Sequence, residues 1–386
     1  MVILMISLSL WGLLFMEGIY DGMTEQMITN AIRSDCGDLT IYAKDYRLER
    51  KITQLIPDHR ALKRRLDRDP RVRSTNTRIL QDGLVATAHY SRNCLIIGIS
   101  PKSEKKHGQL DNYLIAGHFD FGRRNNGAII GAKLARKLKI GVGKKIILSA
   151  QDTQNEVSAI SLKVRGLLRT NNMLFDEMAV LIDQNKAAQM LSTGKGISQI
   201  SILLHDEQAL EPLQKELQAR QPRLAIFRWD EIYPALLQGR VMMKGFNMVT
   251  NLIVFCVAGL GIFGVMLVSI MERLREFGIL LAVGTSFRQI CWMVIGESLV
   301  LGSIGFMSGA VLGGTTLFYF HRQGLDLSLF SEGLETFGVD SITYALIRPE
   351  YFLYSLLAVI LATLISVILP LRMLKKANPV EAIHTL

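Results

Sequence analysis

The chain has 386 residues, 49% of them apolar, with 44 Lys+Arg against 34 Asp+Glu and a formal charge of +10. That apolar content excludes a disordered chain, and 78 charges exclude a bundle of membrane spans alone. Four cysteines exclude a disulfide-framework fold, so the apolar and charged residues must be segregated along the chain.

Met1 to Met16 carries no charge. Sixteen residues fall short of the roughly 20 that a helix needs to cross a bilayer core, but continuation through Glu17, Gly18 and Ile19 completes the crossing. No basic start or small-residue cleavage site marks a signal peptide, so a first transmembrane helix is expected at 1–20. Residues 18–245 hold 36 Lys+Arg and 24 Asp+Glu, a net of +12, and the remainder holds 8 and 10, a net of −2. A large α+β extracytoplasmic domain is therefore expected at 21–244, inserted between helices 1 and 2.

Within that domain, residues 38–42 and 72–79 read as strands. Gln81-Asp82-Gly83 reads as a turn into a strand at 84–88, and 94–99 as a further strand closed by Ser100-Pro101. Residues 128–138 have helical spacing, with Gly141 as a stop. Strands follow at 146–148 and 162–164 around a polar turn. A strand at 200–204, a helix capped by Asp206 and running to about Arg220, and a strand at 224–227 close the domain. No repeat of 20–50 residues is present. Lys63-Arg64-Arg65 and Lys144-Lys145 are its densest basic clusters. They read as a solvated face ahead of contact with anionic headgroups or an acidic partner, and no nucleic-acid motif accompanies them.

The remaining third alternates spans and short loops. Gly245 to Met271 is charge-free for 27 residues and Tyr351 to Leu371 for 21, and Gln289 to Phe320 holds Glu297 as its one charge. Helix 2 is expected at 245–271, a cytoplasmic segment at 272–288 and helix 3 at 289–320. A periplasmic loop at 321–350, helix 4 at 351–373 and a cytoplasmic tail at 374–386 complete the order. The result is an integral membrane α-helical protein with four transmembrane helices. Arg273, Arg275 and Arg288 in one short loop, and Arg372, Lys375 and Lys376 in the tail, place both on the cytoplasmic side, with the large domain outside.

Catalytic chemistry is hard to find. A phosphate-binding loop needs two glycines five apart followed by Lys and a hydroxyl; Gly141-Val142-Gly143-Lys144-Lys145 has neither the spacing nor the hydroxyl. His118-Phe119-Asp120 lacks further ligands for a metal. Gly296-Glu297-Ser298-Leu299-Val300 lacks the second glycine of a nucleophile elbow. No catalytic residue, metal or bound cofactor is expected.

Other residues point to packing and coupling. Glu297 is an ionisable residue inside a span, placed to snorkel or to pair with a neighbouring helix. Gly305, Gly309 and Gly313 lie four apart and form a helix-packing face. Met242, Met243, Phe246 and Met248 cluster at the outer end of helix 2, where soft side chains suit adaptable apolar binding or simply face lipid. Cys36 and Cys94 lie in the outer domain and could pair, whereas Cys256 and Cys291 lie in spans. Glu272-Arg273-Leu274-Arg275-Glu276-Phe277-Gly278-Ile279-Leu280-Leu281-Ala282-Val283-Gly284 is too polar at its start for a span. It reads as a surface helix ending near Gly284.

That segment resembles the coupling segment of the FtsX/MacB/LolC-LolE class of ABC transporter permeases, and Asn378-Pro379-Val380-Glu381-Ala382 is similar to the ending of that class. Gly131-Ala132-Lys133-Leu134-Ala135 with Leu138, Ile140 and Gly143 resembles its outer-domain pattern. Trp229-Asp230-Glu231 has a counterpart there, and Gly98-Ile99-Ser100-Pro101 is similar to a motif of the lipoprotein-releasing LolC/LolE permeases, the nearest subfamily. Leu281 departs from a usual basic residue and Lys144 from a usual Asp. The short turn within 149–161 departs from the hook that recruits a periplasmic lipoprotein chaperone.

The resemblance implies a permease subunit of the bacterial inner membrane that transmits ATPase motion to the periplasmic side and extracts or moves a lipoprotein or lipid-like substrate. A cytoplasmic ABC ATPase dimer would hold ATP and Mg and dock on Glu272, Arg273, Arg275, Glu276, Phe277, Gly278 and Gly284. A second permease chain, identical or homologous, would pack alongside. Met243, Phe246 and Met248 would line the substrate path. MacB-like export of a drug or peptide, and FtsX-like signalling to a periplasmic hydrolase, are the alternatives.

Overall fold

The computed structural model of the chain describes residues 2–330 and 339–376. It divides into two compact units. One comprises Met1–Glu25, Gly239–Leu329 and Ser341–Leu386, and the other Gln26–Gln238 and Phe330–Asp340. The 378–382 ending singled out in the sequence lies outside the described residues.

Helix α1 runs Val2–Ala31, past the expected end of the first span at 20. No proline interrupts it, and its ladder ends only in a π turn, Ile32–Cys36, closed by Gly37 at φ +67. The large unit follows with β1 (Leu39–Ala43), α2 (Tyr46–Glu49), α3 (His59–Leu66), β2 (Val72–Ala86), β3 (Ser91–Ile99) and α4 (Pro101–Lys106). Next come β4 (Leu114–Gly117), β5 (Gly127–Gly131), α5 (Ala132–Leu138), β6 (Lys145–Gln151), β7 (Val157–Leu168) and α6 (Met173–Met178). It closes with β8 (Ala179–Asp183), α7 (Gln184–Met190), β9 (Gln199–Leu204), α8 (Leu210–Arg220), β10 (Leu224–Arg228) and α9 (Trp229–Ile232).

Two strand assemblies share β2. Its first half pairs antiparallel with β9, completing a sheet in the order β10-β1-β9-β2. Helix α3 connects β1 to β2 and α8 connects β9 to β10, which is a split βαβ arrangement. The second half of β2 pairs with β3, β3 with β8, β8 with β5, β5 with β7, β7 with β6, and β6 with β2 again. This circuit of ladders closes on itself and leaves no free edge among those six strands. Alternate residues of its strands enter different cores. Ile96, Ala128, Ile130, Val180 and Ile182 join one cluster, and Ile97, Ile129, Ala179 and Leu181 the other. Strands buried on both faces read as continuous apolar runs, which hides their period.

Two expectations fail here for that reason and a related one. Gln81-Asp82-Gly83 is no turn: these residues pair with Ile96, Leu95 and Cys94 inside the β2–β3 ladder, and the turn comes after Ala86. Gly83 serves close approach instead, since a Cβ there would lie 2.6 Å from the Ser149 carbonyl oxygen of β6. Residues 128–138 are not one helix. Ala128–Gly131 belongs to β5, fully buried between β7 and β8, and the helix begins at Ala132. The expected strands at 146–148, 162–164, 200–204 and 224–227 are present. Asp206 caps a short 3-10 turn by accepting the Gln208 N–H, and α8 then runs to Arg220. Cys36 and Cys94 are both buried and free, so the possible pairing is not made.

The other unit contains α10 (Pro234–Glu272) from Gly239 onward, α11 (Leu274–Ala282), α12 (Phe287–Gln323) and α13 (Pro349–Lys376) together with the start of α1. Each long helix exceeds the expected span, because polar turns extend the ladder beyond the apolar run. Ser286 starts α12 through a capping box with Gln289.

Candidate functional site

The turn between α10 and α12 is built around one buried ring. Phe277 is 1% exposed and packs in a cluster with Met266, Ile270, Ile290 and Val294, and Gly278 beside it is also buried. Arg275 and Glu276 of α11, and Glu272 at the end of α10, are exposed. Gly284, at φ +103, ends the segment with a backbone geometry that a side chain would oppose. Of the expected coupling residues, Arg275, Glu276, Phe277 and Gly278 lie on the nine-residue α11, with Phe277 as its anchor, while Glu272 ends α10, Arg273 caps α11 and Gly284 follows it.

Arg273, at the N-cap of α11, is not spread on that outer surface. Its Nε donates to Glu276 at 3.1 Å, its Nη1 donates to Glu297 of α12 at 3.1 Å, and its guanidinium lies 5.5 Å from the Phe277 ring. Glu276 first, and Glu297 with it, hold the guanidinium more firmly protonated than a free arginine. Glu297 therefore finds its partner in the coupling segment. The pair ties α11 to α12 where sequence inspection placed both residues without joining them.

The expected glycine face packs on α1. A Cβ at Gly305 would lie 2.9 Å from Ile6, at Gly309 2.9 Å from the Ser7 carbonyl oxygen, and at Gly313 2.7 Å from Leu14. Small residues at this spacing let two backbones approach as closely as helices can in a bilayer. Ser7, 2.6 Å from the Ile3 carbonyl and 3.2 Å from that of Gly305, satisfies its hydroxyl within the seam.

Met243, Phe246 and Met248 lie on α10 and are 38%, 58% and 76% exposed. They do not line the deeper clefts of this unit. One cleft of about 170 Å³ is walled by α1, α10 and α13, with Leu10, Leu13, Phe255 and Tyr354 in its lining. Another of about 290 Å³ lies between α1 and α10, lined by Leu8, Met16, Tyr20 and Val257. Glu17 and Asn251 border both, joined by a 2.6 Å hydrogen bond from the Asn251 amide to the carboxylate. Counting charge-free runs could not find Asn251, because an amide leaves such a run unbroken.

In the large unit, Arg78 is 1% exposed and makes a forked pair with Glu104, 0% exposed, at 2.7 and 2.9 Å. His107 lies close by, between the Ser74 and Ser201 hydroxyls at 2.9 and 2.8 Å. Burial, reinforced by Arg78, Lys63 and Arg73, pushes its pKa down to about 3. Asp120 of the His118-Phe119-Asp120 stretch accepts from Arg165 at 2.8 Å. Among the described residues no three His, Cys, Asp or Glu side chains gather as a metal site. Gly141-Val142-Gly143 forms the turn into β6 and Gly98 packs under α7, where a Cβ would meet Ala187 at 2.5 Å.

Among the described residues, four helices long and apolar enough to cross a bilayer, a large α+β domain between the first two and a buried-anchor turn between the second and third make this a multi-pass membrane protein. Residues 1–220 match the MacB-like periplasmic core domain family, and residues 248–379 match the FtsX-like permease C-terminal family. The chain belongs to the MacB- and FtsX-type ABC transporter permeases. It is an inner-membrane protein whose large domain lies in the periplasm.

An uncharacterized ABC transporter permease of Methanocaldococcus jannaschii is 26% identical over 156 residues, covering 39% of this chain and 42% of that protein. The macrolide export ATP-binding/permease protein MacB 2 of Aeromonas hydrophila is 28% identical over 210 residues, covering 53% of this chain and 29% of that one. The periplasmic region of MacB from Actinobacillus actinomycetemcomitans aligns with a TM-score of 0.36 at 15% identity, over 53% of this chain and 95% of that structure. The chain spans less than half the length of these two curated relatives.

Proposed function

We propose that this chain is the permease subunit of a mechanotransmission ABC transporter. A separate cytoplasmic ATPase dimer, holding ATP and magnesium, docks on the exposed side of α11, and a second permease chain packs alongside. The observation that carries this reading is the division of α11. Its charges Arg275 and Glu276, with Glu272 at the end of α10, are exposed, while Phe277 is locked into the packing between α10 and α12. A push on such a helix is passed to its neighbours, because a close-packed core transmits displacement. Helix α10 continues without a break from the coupling turn to Pro234, so its first residues, to Gln238, belong to the large unit.

The substrate reading that fits best is an amphiphile taken from the outer leaflet and moved on the periplasmic side. The β6–β7 turn, Asp152–Glu156, is held tight by the Asp152 carboxylate, which accepts the Gln154 and Glu156 N–H groups. It offers no hook for a chaperone, and relatives named for macrolide export favour a MacB-like role. Lipoprotein release stands second, supported by the exposed apolar strip Met243, Phe246 and Met248. Photo-crosslinkers at Met243 and Phe246 separate the two: capture of a lipid-modified protein favours release.

The test of the coupling reading is ATP turnover by the reconstituted complex with Glu272→Lys and Arg275→Glu together. Stimulated turnover should fall at least tenfold while membrane insertion and melting stay unchanged. Undiminished stimulation would sink the assignment.

A further inference from the structure

Glu17 is the sole charged residue between Val2 and Tyr20, in a stretch whose other polar side chains are the neutral Ser7 and Ser9 and the Tyr20 hydroxyl. A carboxylate at that depth is costly unless something compensates it. Among the described residues its hydrogen-bond donor is the neutral Asn251 amide at 2.6 Å. Asp21, one turn further on, has its own partners: the Tyr351 hydroxyl at 2.6 Å and Arg348 at 3.9 Å. No Lys, Arg or His stands among the described residues lining either cleft beside Glu17. The walls are mostly apolar, with the neutral side chains of Ser9, Asn247, Thr250 and Ser355 among them; the Tyr351 and Tyr354 rings line one cleft and Tyr20 the other.

From this pairing of an uncompensated carboxylate with two apolar clefts we infer that Glu17 and Asn251 form the head-group site for a cationic amphiphile. Its ammonium would sit against Glu17, and its apolar body would lie in the cleft walled by Leu13, Phe255 and Ala358. Charge complementarity selects this occupant. An anionic lipid would bring its phosphate against Glu17 and Asp21, and an uncharged chain would leave the carboxylate uncompensated. Aromatic rings at the wall favour a cation further. The inference deepens the proposed function by naming the substrate chemistry. It takes from that reading only the membrane setting, because binding is measured without an ATPase.

The experiment uses the full chain in phosphatidylcholine nanodiscs with a diazirine-bearing dodecylamine as photoprobe. Label should appear on cleft residues such as Leu13 and Phe255. Unlabelled dodecylammonium should compete at a concentration at least tenfold below that of dodecanol. In Glu17→Gln, with an unchanged melting curve, the two competitors should come within about twofold of each other. Equal competition in the unmodified chain, or an undiminished ammonium preference in Glu17→Gln, would overturn the inference. So would preferred capture of a dodecanoate probe. Met16→Cys chains that cross-link to each other and exclude the probe would assign the cleft to a second copy and overturn it as well. The coupling variants above address a different segment, so failure here leaves that reading standing.

Discussion

Replacing Arg78 by Met should be among the most damaging single changes in the periplasmic domain. The substitution keeps most of the side-chain volume but leaves Glu104 without its cation at 0% exposure, and it also removes the 2.7 Å bond to the Asp35 carbonyl. Breaking a buried pair from one side costs about 3–5 kcal/mol. A domain of this size shifts its melting point by about 2–4 °C per kcal/mol, so the loss is roughly 6–20 °C. The exposed Lys215–Glu211 pair, at 75% and 59% exposure, is the control. Lys215→Met there should cost about 0.5 kcal/mol or less. The assay is thermal unfolding of the detergent-solubilised chain, following the buried Trp229 after Trp11→Phe and Trp292→Phe silence the other two indoles. A companion variant, Arg78→Met with Glu104→Leu, removes both charges and should recover most of the loss. A single variant melting within 2 °C of its parent would refute the reasoning.

Three further outcomes follow from the same geometry. His107 has a folded-state pKa of about 3 against an ordinary value near 6.5, so the unfolded chain binds the extra proton first. Its contribution to stability is therefore whole above pH 6.5 and drains at about 1.4 kcal/mol per pH unit as the pH falls toward 3. Denaturant melts of His107→Gln should lack that part of the acid loss, and an identical pH profile would contradict it. Gly309→Leu should disrupt the α1–α12 seam by about 1–3 kcal/mol of overpacking, whereas Gly296→Leu, with open space around it, should not. Monodispersity after heating in detergent separates the two. Arg273→Glu and Glu297→Arg should each weaken ATPase stimulation, and the double charge swap should restore it.

Much of the membrane part was legible because charge is costly in a bilayer, so charge-free runs mark spans directly. The helix ends were not, since polar turns continue a ladder once it has started, as α1 does from Tyr20 to Ala31. The outer domain was legible where one strand face meets solvent, as in β6 and β7. It failed where both faces are buried, and Ala128-Ile129-Ile130 shows why. A strand with two apolar faces and a helix segment give the same string of residues. Asp82-Gly83 misled because the glycine answers to a neighbouring backbone rather than to a turn. At the coupling segment the sequence displayed every residue, but the tie from Arg273 to Glu297 joins positions 24 apart and is made only by the packing of α11 on α12. Glu17 and Asn251 lie 234 positions apart and were hidden for the same reason.

The central claim is that movement imposed at α11 reaches the periplasmic domain along α10. Spin labels at exposed Lys215 on paired permease chains, read by double electron–electron resonance with and without ATP, test it directly. The account predicts an ATP-dependent change in the distance distribution, abolished by three glycines inserted after Gly245 while ATP turnover continues. A distance change that survives the insertion, or none in the intact chain, would contradict it.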